Sequence, residues 1–140
     1  MLVPPVDSAR DHVLGPPDAE MTLVEYGSYA CPHCHAVHEI IEGLLSRFGG
    51  RMRYVFRHLP LAGNEVALHA AELAECAALA NGKFWDVHEA LMERGPALTE
   101  SDLRELAQSF NVAPADFAGG LCPEAQTRVR EDMDSAQRSG

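Results

Sequence analysis

Two short stretches of this chain carry the pattern of strands, and most of the rest repeats its apolar residues at helical spacing. Thr22-Leu23-Val24-Glu25-Tyr26 is short, rich in β-formers and bounded by Gly27, and it predicts a buried strand. From Pro32, a residue suited to a first helical turn, Val37, Ile40, Ile41, Leu44, Leu45 and Phe48 form an apolar stripe. Gly49-Gly50 ends it, so the first helix runs from about Pro32 to Phe48. Arg51–Arg57 alternates: Met52, Tyr54 and Phe56 share one face, and Arg51, Arg53 and Arg57 project from the other with Val55 among them. Three arginines turned from the core predict an edge strand, where charge discourages stray pairing. Strand, helix and strand within about 36 residues make a βαβ unit with parallel strands and a right-handed crossover.

Helical patterns continue from there. Asn64–Ala80 is rich in Ala and Leu and stops at Asn81-Gly82, and Phe84, Val87, His88 and Leu91 line a second helix. Thr99-Glu100-Ser101-Asp102 reads as a capping box opening a third, with Leu103, Leu106, Ala107 and Phe110 inward. A short turn is expected after Pro114, then a last helix from about Pro123 to Ala136 with Ala125, Val129 and Met133 on one side. Residues 4–20 hold four of the nine prolines and predict an extended lead-in. The fold class is α/β in a single domain over 1–140. It divides into a lead-in (1–20), the βαβ unit (21–60), a run of helices (61–122) and a C-terminal helix (123–140).

With 140 residues the chain can bury one hydrophobic core, not two. Twenty-one acidic against 11 basic residues give a net charge of −10, which argues against nucleic acid or an anionic membrane as partner. No apolar run approaches the ~18 residues of a membrane span. Met1–Asp7 has neither the basic region nor the apolar stretch of a secretory signal, so the chain as it stands is expected in the cytoplasm. A leader or preceding domain outside this chain would make it periplasmic or otherwise extracytoplasmic instead.

Four cysteines include one close pair, Cys31-Pro32-His33-Cys34, set where the first strand passes into the first helix. Helix N-termini carry unpaired N–H groups and about half a positive charge, which stabilise a thiolate on the first sulfur. The thiolate is the reactive form, so the placement predicts a redox pair with Cys31 as nucleophile and Cys34, one turn further in, as resolving cysteine. Pro32 and His33 are the tuning dipeptide, and no cofactor is expected.

Gly15-Pro16-Pro17-Asp18-Ala19, Leu23-Val24-Glu25-Tyr26 and Cys31-Pro32-His33-Cys34, followed by His58-Leu59-Pro60-Leu61, Gly82-Lys83-Phe84-Trp85 and His88, resemble the DsbA-like thioredoxin-fold oxidoreductases. The likeness is nearest to the thioredoxin-like domain appended to some sodium/proton antiporters, and it runs from about Asp11. It implies a thioredoxin-like βαβ core with a helical insertion, thiol–disulfide exchange with protein thiols, and a redox partner that resets the pair. It also implies a buried acid at Glu25 that exchanges a proton with Cys34; a strand carboxylate turned to water is the plainer alternative. In relatives a stretch like Asp134–Gly140 leads into a strand opened by a cis-proline, a further strand and a helix. No proline follows Pro123 here, so that C-terminal ββα part is expected to be missing. Strand 22–26 would then keep an open edge that templates a homodimer, or the chain is a fragment of a longer protein. Relatives with cysteines placed like Cys76 and Cys122, read here as lying on helices of the insertion, form a second, structural disulfide; two small buried apolar residues are the alternative.

Rival readings share the same residues. Cys31-Pro32-His33-Cys34-His35 fits the Cys-x-x-Cys-His haem attachment pattern, but a buried strand before it is out of place for a cytochrome. A zinc site from Cys31, Cys34, His35 and His38 lacks the usual second pair, and His35 and His38 are expected to face water. A non-catalytic binding module on the same fold is a third reading. His58, His69 and His88 are read as packing or surface residues, and Phe84 and Trp85 as core.

Overall fold

The computed structural model describes residues 1–113 and 122–140; the turn expected after Pro114 lies outside them. In chain order the elements are β1 (His12–Leu14), β2 (Met21–Gly27), α1 (Pro32–Phe48), a 3-10 turn (Gly49–Arg51), β3 (Met52–His58), α2 (Glu65–Asn81), α3 (Phe84–Arg94), α4 (Glu100–Ser109) and α5 (Pro123–Ser139). The sheet order is β1-β3-β2. β2 and β3 are parallel, with Leu23 opposite Tyr54 and Glu25 opposite Phe56, as the βαβ pattern requires.

Two strand readings are corrected. β3 is the middle strand, not an edge, because β1, inside the lead-in read as extended, pairs antiparallel on its other side with His12 opposite Phe56. Its second face is covered as well, by α5 and the N-terminal arm, so Arg57 is fully buried rather than solvated. The Arg57 guanidinium grips Asp11 with two 2.9 Å hydrogen bonds and donates to Pro4 O, Pro5 O, Tyr26 Oη and Ser135 Oγ. A buried charge is tolerable only when so fully satisfied. The edges are the short β1 and β2: no strand lies on the outer side of β2 among the described residues, and Leu23 to Tyr26 are half-buried, not buried.

The helices follow their capping signals. Asn64 caps α2 by accepting from Ala67 N–H, and Gly82 closes it in the left-handed region that glycine tolerates. The Thr99/Asp102 capping box opens α4, with Leu103, Leu106 and Ala107 buried. The alanine-rich α2 lies at the centre, packing on α3, α4 and α5. Phe84, Val87, His88 and Leu91 of α3 are all buried. In α1 the stripe is wider than the core it meets: Ile41 is buried, Leu44, Leu45 and Phe48 are half-buried, and Val37 and Ile40 are exposed. No helix among the described residues is long and apolar enough to cross a membrane.

Candidate active site

Cys31 occupies the N-cap of α1 with extended backbone (φ −101°, ψ 119°), and Pro32 follows in the first turn. A serine or aspartate oxygen commonly fills such a position and accepts the free N–H groups of the helix. Here a sulfur does. Burial pushes the Cys31 thiol up, but the Cys34 N–H, the Cys34 thiol and the His33 N–H beside the sulfur outweigh it and hold it below its ordinary value. Cys34 sits deeper. Its burial, together with the neighbouring Cys31 sulfur and Glu25, pushes its thiol up to about 11, although Ser28 N–H donates to the sulfur at 3.4 Å. The two sulfurs are therefore chemically unequal. Pro32 and His33 are exposed at the mouth of the helix.

Glu25 is half-buried on the face of β2 that carries Leu23, and it accepts a short hydrogen bond from Tyr54 Oη. Burial raises its carboxyl above the ordinary range, against that bond and the nearby His38. Its charge is felt at both thiols. Gly27, two residues on, leaves no room for a side chain: a Cβ there would stand 2.7 Å from the Phe56 ring and 3.1 Å from Glu25 Oε2.

Behind the pair, α1 is fixed to α3 through histidines that the sequence placed in water. His35 has its ring nitrogens 2.5 Å from Tyr29 O and 3.1 Å from Met92 O, tying the loop before Cys31 to the end of α3. Both ring nitrogens thus face backbone carbonyls. His38 turns instead to Glu42 and Glu89, so the set Cys31, Cys34, His35 and His38 is not gathered around one point. His88 is buried against Tyr29, whose hydroxyl lies 2.8 Å from its Nδ1. Burial and the surrounding histidines push it down to about 3.

His58, buried at the end of β3, shares Glu75 Oε2 with His12. Glu75 is held well below the ordinary carboxylate range, because hydrogen bonds from the two rings overcome its burial. His69 pairs with Glu100 at 2.7 Å near the surface, and Phe84 is buried in the core with Trp85 packed against it. Cys76 is buried in α2 and Cys122 packs against the same core. Cys122 is the N-cap of α5 rather than a residue within a helix. Ser28, Tyr29 and Tyr54 were not legible as site residues; only the β2/β3 register, which sets Tyr54 two pairs from Glu25 on the same face, would have pointed to one of them.

Comparison with known proteins agrees with this arrangement. The family described as Thioredoxin matches residues 7–140. The Na(+)/H(+) antiporter NhaA of Nitrosospira multiformis is 49% identical over 138 residues, covering 97% of this chain and 22% of that protein. The chain thus spans about a fifth of the length of the curated relatives it matches. Oxidised BdbD of Bacillus subtilis superposes with a TM-score of 0.77 at 28% identity, over 94% of this chain and 77% of that one. The thiol-disulfide exchange protein alpha-DsbA2 of Wolbachia pipientis shares the fold, with a TM-score of 0.72 at 20% identity over 90% and 68% of the two chains. With a matching profile over nearly its whole length and DsbA-like neighbours in fold, this chain belongs to the thioredoxin family.

Proposed function

We propose that the chain exchanges disulfides with protein thiols through Cys31 and Cys34. The observation that carries the reading is the inequality of the two sulfurs: the outer one held as a better anion, the inner one held as a thiol. With the pair oxidised, a substrate thiolate attacks Cys31 Sγ, the Cys31–Cys34 bond breaks, and Cys34 leaves and takes a proton. Glu25, with its raised carboxyl, is the proposed source of that proton. A second substrate thiolate then attacks its own bridged sulfur and expels Cys31. Two electrons pass to the chain, the substrate keeps the disulfide, and a redox partner must reoxidise the pair.

A lowered Cys31 thiol makes the second expulsion easy and stabilises the reduced form, which favours an oxidase. Such an enzyme works in an oxidising compartment, so the extracytoplasmic placement is favoured over the cytoplasmic one. We further propose that the outer edge of β2 pairs with a second copy of the chain; a strictly monomeric species in sedimentation, unfolding cooperatively, would end that idea.

The deciding experiment is the equilibrium potential of the Cys31–Cys34 pair in glutathione buffers. A value well above thioredoxin's, about −270 mV, and toward DsbA's, about −120 mV, is expected. A value near thioredoxin's removes the oxidase reading. Failure to reduce insulin or to oxidise a reduced substrate would leave a non-catalytic binding module.

A further inference from the structure

We propose that His38, Glu42 and Glu89 form a binding site for one zinc ion between α1 and α3. His38 Nε2 lies 3.2 Å from Glu42 Oε1 and 3.2 Å from Glu89 Oε2, and the three ligand atoms all lie within 4.8 Å of one another. A tetrahedral zinc with bonds of about 2.0–2.2 Å holds neighbouring ligand atoms about 3.4 Å apart, so the two spacings from the imidazole are already near the required one. His38 and Glu42 are one turn apart on α1, which puts both on one face, and Glu89 meets them from α3.

A simple ion-pair account fits the trio less well. One ring N–H aligns with one acceptor, yet two carboxylates converge on the same nitrogen. The two carboxyl groups stand within 4.8 Å of each other, and a dication between them would favour both as carboxylates. Exposure is graded as a metal site needs. The His38 side chain is 13% exposed and its ring lies 5.7 Å from that of His88, so its orientation is fixed. The Glu42 and Glu89 side chains, 54% and 43% exposed, leave an entry path and room for water in the fourth position. One imidazole with two carboxylates suits zinc or a similar first-row dication better than calcium or magnesium, which prefer all-oxygen shells. Of the zinc ligands read from the sequence, only His38 belongs to this set.

The inference does not rest on the thiol chemistry, and its test removes the two helix-entrance thiols as competitors. The Cys31→Ser/Cys34→Ser chain is titrated with zinc chloride by calorimetry, and retained zinc is measured by elemental analysis after dialysis. One equivalent is expected, with Glu42→Gln and Glu89→Gln each weakening binding at least about tenfold. These carboxylates are exposed, so the two variants carry the test even if His38→Ala fails to fold. Cobalt(II) in place of zinc should give a visible spectrum without a thiolate charge-transfer band. No retained zinc, a thiolate band, or unchanged affinity in both glutamine variants would overturn the site.

Discussion

The unequal sulfurs predict which cysteine a limiting alkylating agent finds. Iodoacetamide reacts with thiolate, so the rate at each cysteine follows its ionised fraction and its intrinsic nucleophilicity. At about pH 8, a thiol at about 11 is ionised to roughly one part in a thousand, and that is Cys34. Cys31 is held below an ordinary cysteine, which at that pH is itself ionised to about one part in four, so its ionised fraction is larger still. The populations differ by more than about a hundredfold. The weaker base is also the weaker nucleophile, by about 0.4–0.5 logarithmic units per pKa unit, which leaves about a tenfold preference for Cys31. The burial of Cys34 adds to it. The assay is a short pulse of iodoacetamide on fully reduced protein, followed by proteolysis and fragment-ion localisation of the label, since both cysteines fall in one tryptic peptide. Equal labelling, or Cys34 first, would refute the argument that the helix N-terminus and the Cys34 thiol together stabilise the Cys31 anion.

Three other outcomes follow from the same structure. Arg57→Met leaves the Asp11 carboxylate, whose side chain is 1% exposed, with only Arg10 and the Asp7 N–H as partners, and should cost up to about 3–5 kcal/mol in urea unfolding, with Arg57→Met/Asp11→Asn losing less than the sum of the singles; a loss under about 1 kcal/mol would mean the pair is replaceable. Glu25→Gln removes a negative charge felt by both sulfurs, so both thiol pKa values should fall in an ultraviolet thiolate titration; unchanged values would show that Glu25 carries no charge there in the reduced protein. His88, pushed down to about 3 by burial, stays neutral when folded but takes a proton when unfolded below about 6.5. Stability from this group is complete above about 6.5 and is lost as pH falls toward 3. Between pH 7 and 5 the loss is about 2 kcal/mol, so His88→Phe should shrink the pH dependence of unfolding by that amount, and an undiminished slope would discard the buried-neutral assignment.

Local chemistry was readable wherever a residue's neighbours lie close in sequence. The Thr99/Asp102 box, the Gly82 stop and the Cys31-Pro32 entry to α1 each involve atoms a few residues apart, and each is where the pattern put it. The parallel β2/β3 pair follows from the short crossover. Alternation along β3 was read correctly as a pattern but wrongly as exposure. What buries Arg57 arrives from Asp11, 46 positions before it, and Ser135, 78 after it, and no local period encodes either partner. β1, three residues among prolines, is too short to show a period at all.

The candidate site divides the same way. Which residues are the thiols, and which of them stands at the helix entrance, is a matter of spacing and therefore of sequence. How far apart the two sulfurs stand in acidity is not. That depends on Ser28 reaching Cys34, on Tyr54 and Gly27 setting Glu25 beside the pair, and on His35 holding the loop against α3. Hydrogen bonds and burial act over ångströms in space regardless of separation along the chain, so the sequence by itself determined the reactive groups, and only the tertiary structure decided their protonation.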